Sequence, residues 1–244
     1  MFRMIVMTLS LIAVVLMNAV ANILPLNGRT TGEIANQLPV LFIPAGYVFI
    51  IWAVIYVLLA CWLVGFNRNR DDANRVALNL RGILFSISCL FNIAWILLWH
   101  FRYFDWTIVI MISLLLTLLA LYFTYPKKDQ QFLGRLPIAV YLGWIFVATI
   151  ANISYILTLH EWSGWGLSDP LWTVLYLTFA TAIALHFLYH HADIALNLVF
   201  MWAFIGIAVK NGINELFVSA AALFLTAVIG TGCFLVRKAK SKQL

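Results

Sequence analysis

Polar residues along this chain come in short clusters that separate long, continuously apolar runs. Eight runs stand out, at roughly 4–25, 45–66, 80–101, 105–125, 137–159, 170–189, 192–210 and 214–236. Each is near the ~20 residues with which an α-helix crosses ~30 Å of hydrocarbon. None alternates with the period of two that a membrane strand needs, which excludes a β-barrel. The pattern predicts an all-α integral membrane protein of about eight transmembrane helices. The sixth and seventh runs are separated by little more than His190, His191 and Asp193, so seven spans is the competing count. The first run also has the basic start, apolar stretch and Ala19-Val20-Ala21 of a cleavable leader, although it is long enough to span.

Composition agrees: 64% of residues are hydrophobic, 10% are charged, and the mean hydropathy is +0.99, against about 25% charged in a soluble domain. The cations set an orientation, because Lys and Arg collect on the cytoplasmic side. With eight spans, one side holds Arg3, then Arg68, Arg70, Arg75 and Arg81, then Lys127, Lys128 and Arg135, then Arg237, Lys238, Lys240 and Lys242; the other holds Arg29, Arg102 and Lys210. Both termini are therefore expected in the cytoplasm, in a membrane such as a bacterial cell membrane. The net charge of +6 reflects this topology and contact with anionic lipid, and it does not call for a nucleic-acid partner. Cys61, Cys89 and Cys233 lie in apolar runs without metal-ligand spacing, so no metal site is expected and no cofactor is implied.

One phrase occurs twice. Residues 92–100 read NIAWILLWH and residues 152–160 read NISYILTLH. The echo continues with Asp105 and WTIV (106–109) against Asp169 and WTVL (172–175), which reads either as a helical hairpin, 80–125, repeated as 137–189, or as vocabulary common to membrane helices. Asn92 and Asn152 each stand eight residues before a His, about 12 Å along the axis. With His100 and His160 at the membrane boundary, both amides lie near the bilayer centre and must face the bundle interior. There they either bond neighbouring helices or line a ligand pocket. Trp95 and Tyr155 lie one turn further on, on nearly the same face. Trp52, Tyr56, Trp95, Trp99, Trp144 and Trp202 fall inside spans, as plain packing or as walls of an apolar cavity suited to planar ligands. The loops 27–43 and 159–170 are long enough for lids or binding loops, with Trp162 and Trp165 expected in the headgroup layer. Lys210 and Glu215 bracket a turn, and His186, inside a span, reads as a hydrogen-bonded structural residue. Acidic pairs are missing from the spans, and HExxH and phosphate-binding glycine loops from the sequence, which weighs against hydrolytic or metal chemistry.

Three of these segments together resemble the tryptophan-rich sensory protein, or translocator protein (TspO/MBR), family. YLGWIFVATIAN (141–152) is similar to its YLAW…FAT..LN segment, FNIAW (91–95) to its LN..W motif, and PAGYVFIIWAVIY (44–56) to its PP.WVF..VW..LY segment, with Val48-Phe49 displaced by one residue. The resemblance covers roughly residues 4–158. It implies a TspO-like five-helix bundle over 1–159, followed by further helices and a basic tail over 160–244 that cover or reshape the pocket or form a homodimer surface. It further implies a cavity for porphyrins, sterols or other flat hydrophobic ligands, closed by the loop after the first helix. Trp52 and Trp144 would line that cavity, with Phe49, Tyr56, Asn92, Trp95, Tyr141 and Asn152 nearby. No Lys or Arg follows Tyr155 closely, so specific sterol binding is not expected. The expected function is a membrane sensor or carrier for a planar hydrophobic molecule such as a tetrapyrrole, more readily than an enzyme. The alternatives are an intramembrane enzyme acting on an isoprenoid or tetrapyrrole, with His100, His160 or His186 as proton donor and Asp105 or Asp169 at the rim, or a transporter of a hydrophobic solute.

Overall fold

The computed structural model describes residues 2–24, 26–68, 75–126 and 133–241; Arg70, Lys127, Lys128 and Lys242 lie outside them. Among the described residues eight helices are long and apolar enough to cross a membrane. They are α1 (Phe2–Ile23), α3 (Ile51–Arg68), α4 (Arg75–His100), α5 (Phe104–Phe123), α6 (Leu136–Leu159), α7 (Asp169–His191), α8 (Ile194–Asn211) and α9 (Leu216–Ser241), while α2 (Thr31–Ala35) is a single short turn of helix. The protein is an integral membrane protein.

Eight spans hold over seven because α7 and α8 are separate helices. Ala192 takes the left-handed conformation with φ 50° and ends α7. The Asp193 carboxylate then accepts the Leu196 N–H at 3.1 Å, which caps α8. Pro137 and Pro170 stand in the first turns of α6 and α7, where a missing N–H costs nothing. The second span starts differently from a plain helix. Gly46–Ile50 is a 3-10 segment and the α-helix begins at Ile51.

Five helices close a ring in the order α1, α4, α5, α6, α3 and back to α1. On the far side of α6 sits α8, with α9 on α8 and α7 against both. Most of α6 is therefore buried on every side. Gly143 allows this, since a Cβ there would lie 3.1 Å from the Leu196 carbonyl oxygen and 3.2 Å from the Val199 Cβ. The repeated sequence does not produce a repeated hairpin: α4 and α5 pack along their lengths, whereas α6 barely touches α7. The chain leaves α6 through 160–168 and α7 turns to α8 and α9 instead. His186 also differs from its sequence reading. It is exposed on α7, its ring 4.5 Å from that of His190. Lys210 and Glu215 flank the α8–α9 turn as the sequence predicts.

Candidate functional site

The second and fifth spans, α3 and α6, bring indoles together. Trp52 on α3 meets Trp144 on α6 edge to face, with centroids 6.3 Å apart. Trp52 also stacks on Tyr56 at 5.6 Å and meets Tyr141 at 6.1 Å. Phe49 lies in the 3-10 segment, three residues before Trp52. Its ring reaches Trp144 from the other side at 5.8 Å.

The helical spacing of Trp144, Val147, Ala148, Ala151 and Asn152 puts one stripe of α6 on a single cavity. Phe49, Trp95, Trp99 and residues Thr31, Ala35, Ile43 and Pro44 of the connection from α1 to the 3-10 segment, called the lid below, complete its wall. Its volume is about 50 Å³. Of the eight residues singled out from the sequence, Phe49, Trp95, Trp144 and Asn152 line it. Trp52, Tyr56, Tyr141 and Asn92 form the layer next to it, on the side away from the lid.

The two asparagines take different roles. Asn92 donates to the Tyr141 hydroxyl at 2.8 Å and accepts from Asn18 Nδ2 at 3.2 Å. Its amide therefore joins α4, α6 and α1. Asn152 donates to Thr107 Oγ1 at 2.9 Å and accepts from Trp95 Nε1 at 3.0 Å, so the two copies of the phrase bond to each other. Both amides bridge helices, and only that of Asn152 also borders the cavity. The histidines diverge too. His100 is buried under the lid, Nδ1 2.9 Å from the Ile96 carbonyl oxygen, whereas His160 is exposed and pairs with Asp105 at 2.7 Å.

Three polar groups in this region lack a partner among the described residues: Trp144 Nε1, the Tyr56 hydroxyl and His100 Nε2, all buried. Buried polar groups are almost always hydrogen-bonded, and leaving one unpaired costs about 1–3 kcal/mol.

The lid is held from two directions. On one side Asn27 Nδ2 donates to the His100 carbonyl at 3.0 Å and Trp99 Nε1 to that of Thr31 at 3.3 Å. A second apolar cluster, with Ile34, Val40 and Ile43 over Trp99, Tyr155 and Ile156, lies beneath. On the other side α8 reaches over: Asn211 Nδ2 donates to Leu41 O at 2.9 Å, Lys210 Nζ to Val40 O at 3.4 Å and Trp202 Nε1 to Val48 O at 3.0 Å. The helices beyond the five-helix ring thus share in closing the cavity.

The lid carries a pH-dependent element. In α2 the Glu33 carboxylate accepts the Thr30 N–H at 2.7 Å, while the Glu33 N–H donates to Thr30 Oγ1 at 3.2 Å, a reciprocal cap. The hydrogen bond from the Thr30 backbone, then that from its side chain, and last the Arg29 charge hold the Glu33 pKa below its ordinary 4.5. A depressed carboxylate pKa stabilises fully above the ordinary value, and that contribution disappears as the pH falls through the depressed one. Amide exchange of residues 31–35, corrected for intrinsic rates, should accelerate once the pH drops below 4.5. In Glu33→Gln that acceleration should be absent.

The sequence reading overlooked a second polar constellation at the opposite end of the bundle. Arg135, 1% exposed, pairs with Asp193, 4% exposed, at 3.5 Å. Its Nη2 donates to the His191 carbonyl and its Nη1 to that of Pro126, each at 3.0 Å. Tyr122 donates to Asp193 Oδ2 at 2.7 Å and lies 4.9 Å below the guanidinium. One cation thus ties together the ends of α5 and α7 and the starts of α6 and α8.

A family model described as TSPO-like protein matches residues 4–235 of the chain, through all eight apolar helices. No curated protein and no solved structure matches it.

Proposed function

Because the chain belongs to the TSPO-like protein family, we propose that it is a membrane sensor or carrier that binds a flat, hydrophobic molecule bearing a hydrogen-bond acceptor, of the tetrapyrrole class, in the chamber between α4, α6 and the 3-10 segment before α3. The observation that carries this reading is the Trp144 indole. It lines the cavity, its face is enclosed by Phe49 and Trp52, and its N–H is buried without a partner. A ligand carbonyl or carboxylate at this point would satisfy it, and the surrounding rings suit a planar body.

The chamber as it stands holds about 50 Å³, far below the roughly 300–1,000 Å³ of a site for a drug-sized ligand. Entry therefore requires the lid to lift from Trp95 and Trp99. The lid's hold on both α4 and α8 makes it a gate whose position reports occupancy, which is the behaviour a sensor needs.

Substitution at Trp144 separates this reading from plain packing. Trp144→Phe removes an unpaired buried donor, so the free protein should melt no lower than the wild type. Porphyrin affinity, read by quenching of intrinsic fluorescence, should fall about tenfold, as the loss of one hydrogen bond of about 1–1.5 kcal/mol implies. The Trp52→Phe/Trp144→Phe protein should bind more weakly still. Equal affinity in the wild type and the double variant would overturn the assignment.

A further inference from the structure

A second cavity opens at the lid end, apart from the chamber. It holds about 200 Å³ and lies between lid residues 39–41, the end of α6, the 161–164 loop and the start of α7. Trp162, Trp172 and Tyr176 stand along its wall. The Trp162 and Trp172 rings are tilted by 56° with centroids 4.9 Å apart, and Trp172 and Tyr176 are 5.7 Å apart. Trp172 is fixed in place by its N–H, which donates to the Gly164 carbonyl at 2.8 Å. Gly164 has φ +62°, and a Cβ there would press on the indole nitrogen at 3.1 Å. Two carboxylates, Glu161 and Asp169, border the same space. Neither is in an ion pair among the described residues, and no Lys, Arg or His lines the cavity. Ser154 also lines it; that residue is 8% exposed, and its hydroxyl has no hydrogen-bond partner among the described residues.

Aromatic rings attract cations through their negative faces, and two unneutralised carboxylates add a field of the same preference. A cavity of this size admits a compact group and not a drug-sized molecule. We propose that this cavity binds a small organic cation, a quaternary or protonated amine, between the Trp162, Trp172 and Tyr176 rings and the Glu161 and Asp169 carboxylates, with the Ser154 hydroxyl taking up a neighbouring polar atom. The site does not depend on the chamber reading, since it shares none of the ring residues that enclose Trp144. Either a free amine or the trimethylammonium end of a choline lipid has the required chemistry.

The test uses the purified full chain, with choline as the probe. Saturation-transfer NMR on the choline methyl protons should show saturable binding. The neutral isostere 3,3-dimethylbutan-1-ol should fail to compete. Glu161→Gln/Asp169→Asn keeps every aromatic ring and changes only exposed positions; it should raise the choline Kd at least tenfold, and Glu161→Gln alone should raise it by a smaller factor. Absence of saturable binding to the wild type, equal competition by the neutral isostere, or an unchanged Kd in the double variant would each overturn the proposal. Nanodiscs then assign the source. A choline signal lost in phosphatidylcholine discs but kept in phosphatidylglycerol discs supports the site as a lipid-headgroup site. A signal kept in both supports it as a site for a free amine.

Discussion

Arg135→Met should lower the stability of the protein by about 3–5 kcal/mol, because it leaves the Asp193 charge buried and unpaired. For a chain of this size that corresponds to a fall in Tm on the order of 10 °C, measurable by fluorescence-detected thermal unfolding in detergent. The loss goes beyond the ion pair. The Pro126 and His191 carbonyls lose their donors, and the Tyr122 ring loses the cation above it. A second substitution separates charge from shape. In Arg135→Met/Asp193→Asn the amide oxygen can still accept from Leu196, so the α8 cap survives, and the amide NH2, in the place of Oδ2, can donate to the Tyr122 oxygen, while the stranded charge is gone. Replacing a buried pair by neutral groups is often close to neutral, so the double variant should regain more than half of the lost stability. A double variant no more stable than Arg135→Met would show that the Asp193 charge is not the source. Since these contacts join α5 and α6 of the ring to α7 and α8, the single variant should also expose the α6–α8 seam to proteolysis before the ring itself opens.

That cluster marks the boundary of what the sequence made legible. The spans were readable because apolar runs of helical length have few alternatives in a bilayer. Convergence of Trp52 on Trp144 was readable from the family resemblance, since both positions carry its motifs. Arg135 was not. A cation one residue before an apolar run is ordinarily solvated, and its burial depends on the α7–α8 turn folding back over the ends of α5 and α6, which no local pattern encodes. The repeated phrase misled for a similar reason. Asn92 and Asn152 have like neighbours in sequence but different ones in space, because Asn18 on α1 and Tyr141 on α6 meet the first, while Thr107 on α5 and Trp95 on α4 meet the second. His100 and His160 part company because the lid covers the end of α4 and leaves His160 exposed.

Gly206→Ala should have the largest effect on the lid of any single added methyl group. Gly206 sits where α8 crosses the 3-10 segment before α3, and a Cβ there would lie 2.1 Å from Val48 Cγ2 and 3.1 Å from Pro44 Cβ. Val48 is fully buried, and a β-branched side chain has few rotamers to retreat into, so α8 must move. Three hydrogen bonds depend on its position: Ala45 N–H to the Gly206 carbonyl at 3.1 Å, Trp202 to Val48 and Asn211 to Leu41. Overpacking of this kind costs about 1–3 kcal/mol, and amide exchange across 41–50 should rise with it. The reciprocal change distinguishes steric conflict from a general defect. Val48→Ala alone leaves a small void and destabilises. Combined with Gly206→Ala it makes room for the new methyl, so the pair should be more stable than the sum of the two losses predicts, by a coupling of about 1 kcal/mol or more. Simple additivity would mean that α8 and the lid do not approach as closely as Gly206 permits, and the shared closure of the chamber by the ring and the outer helices would have to be abandoned.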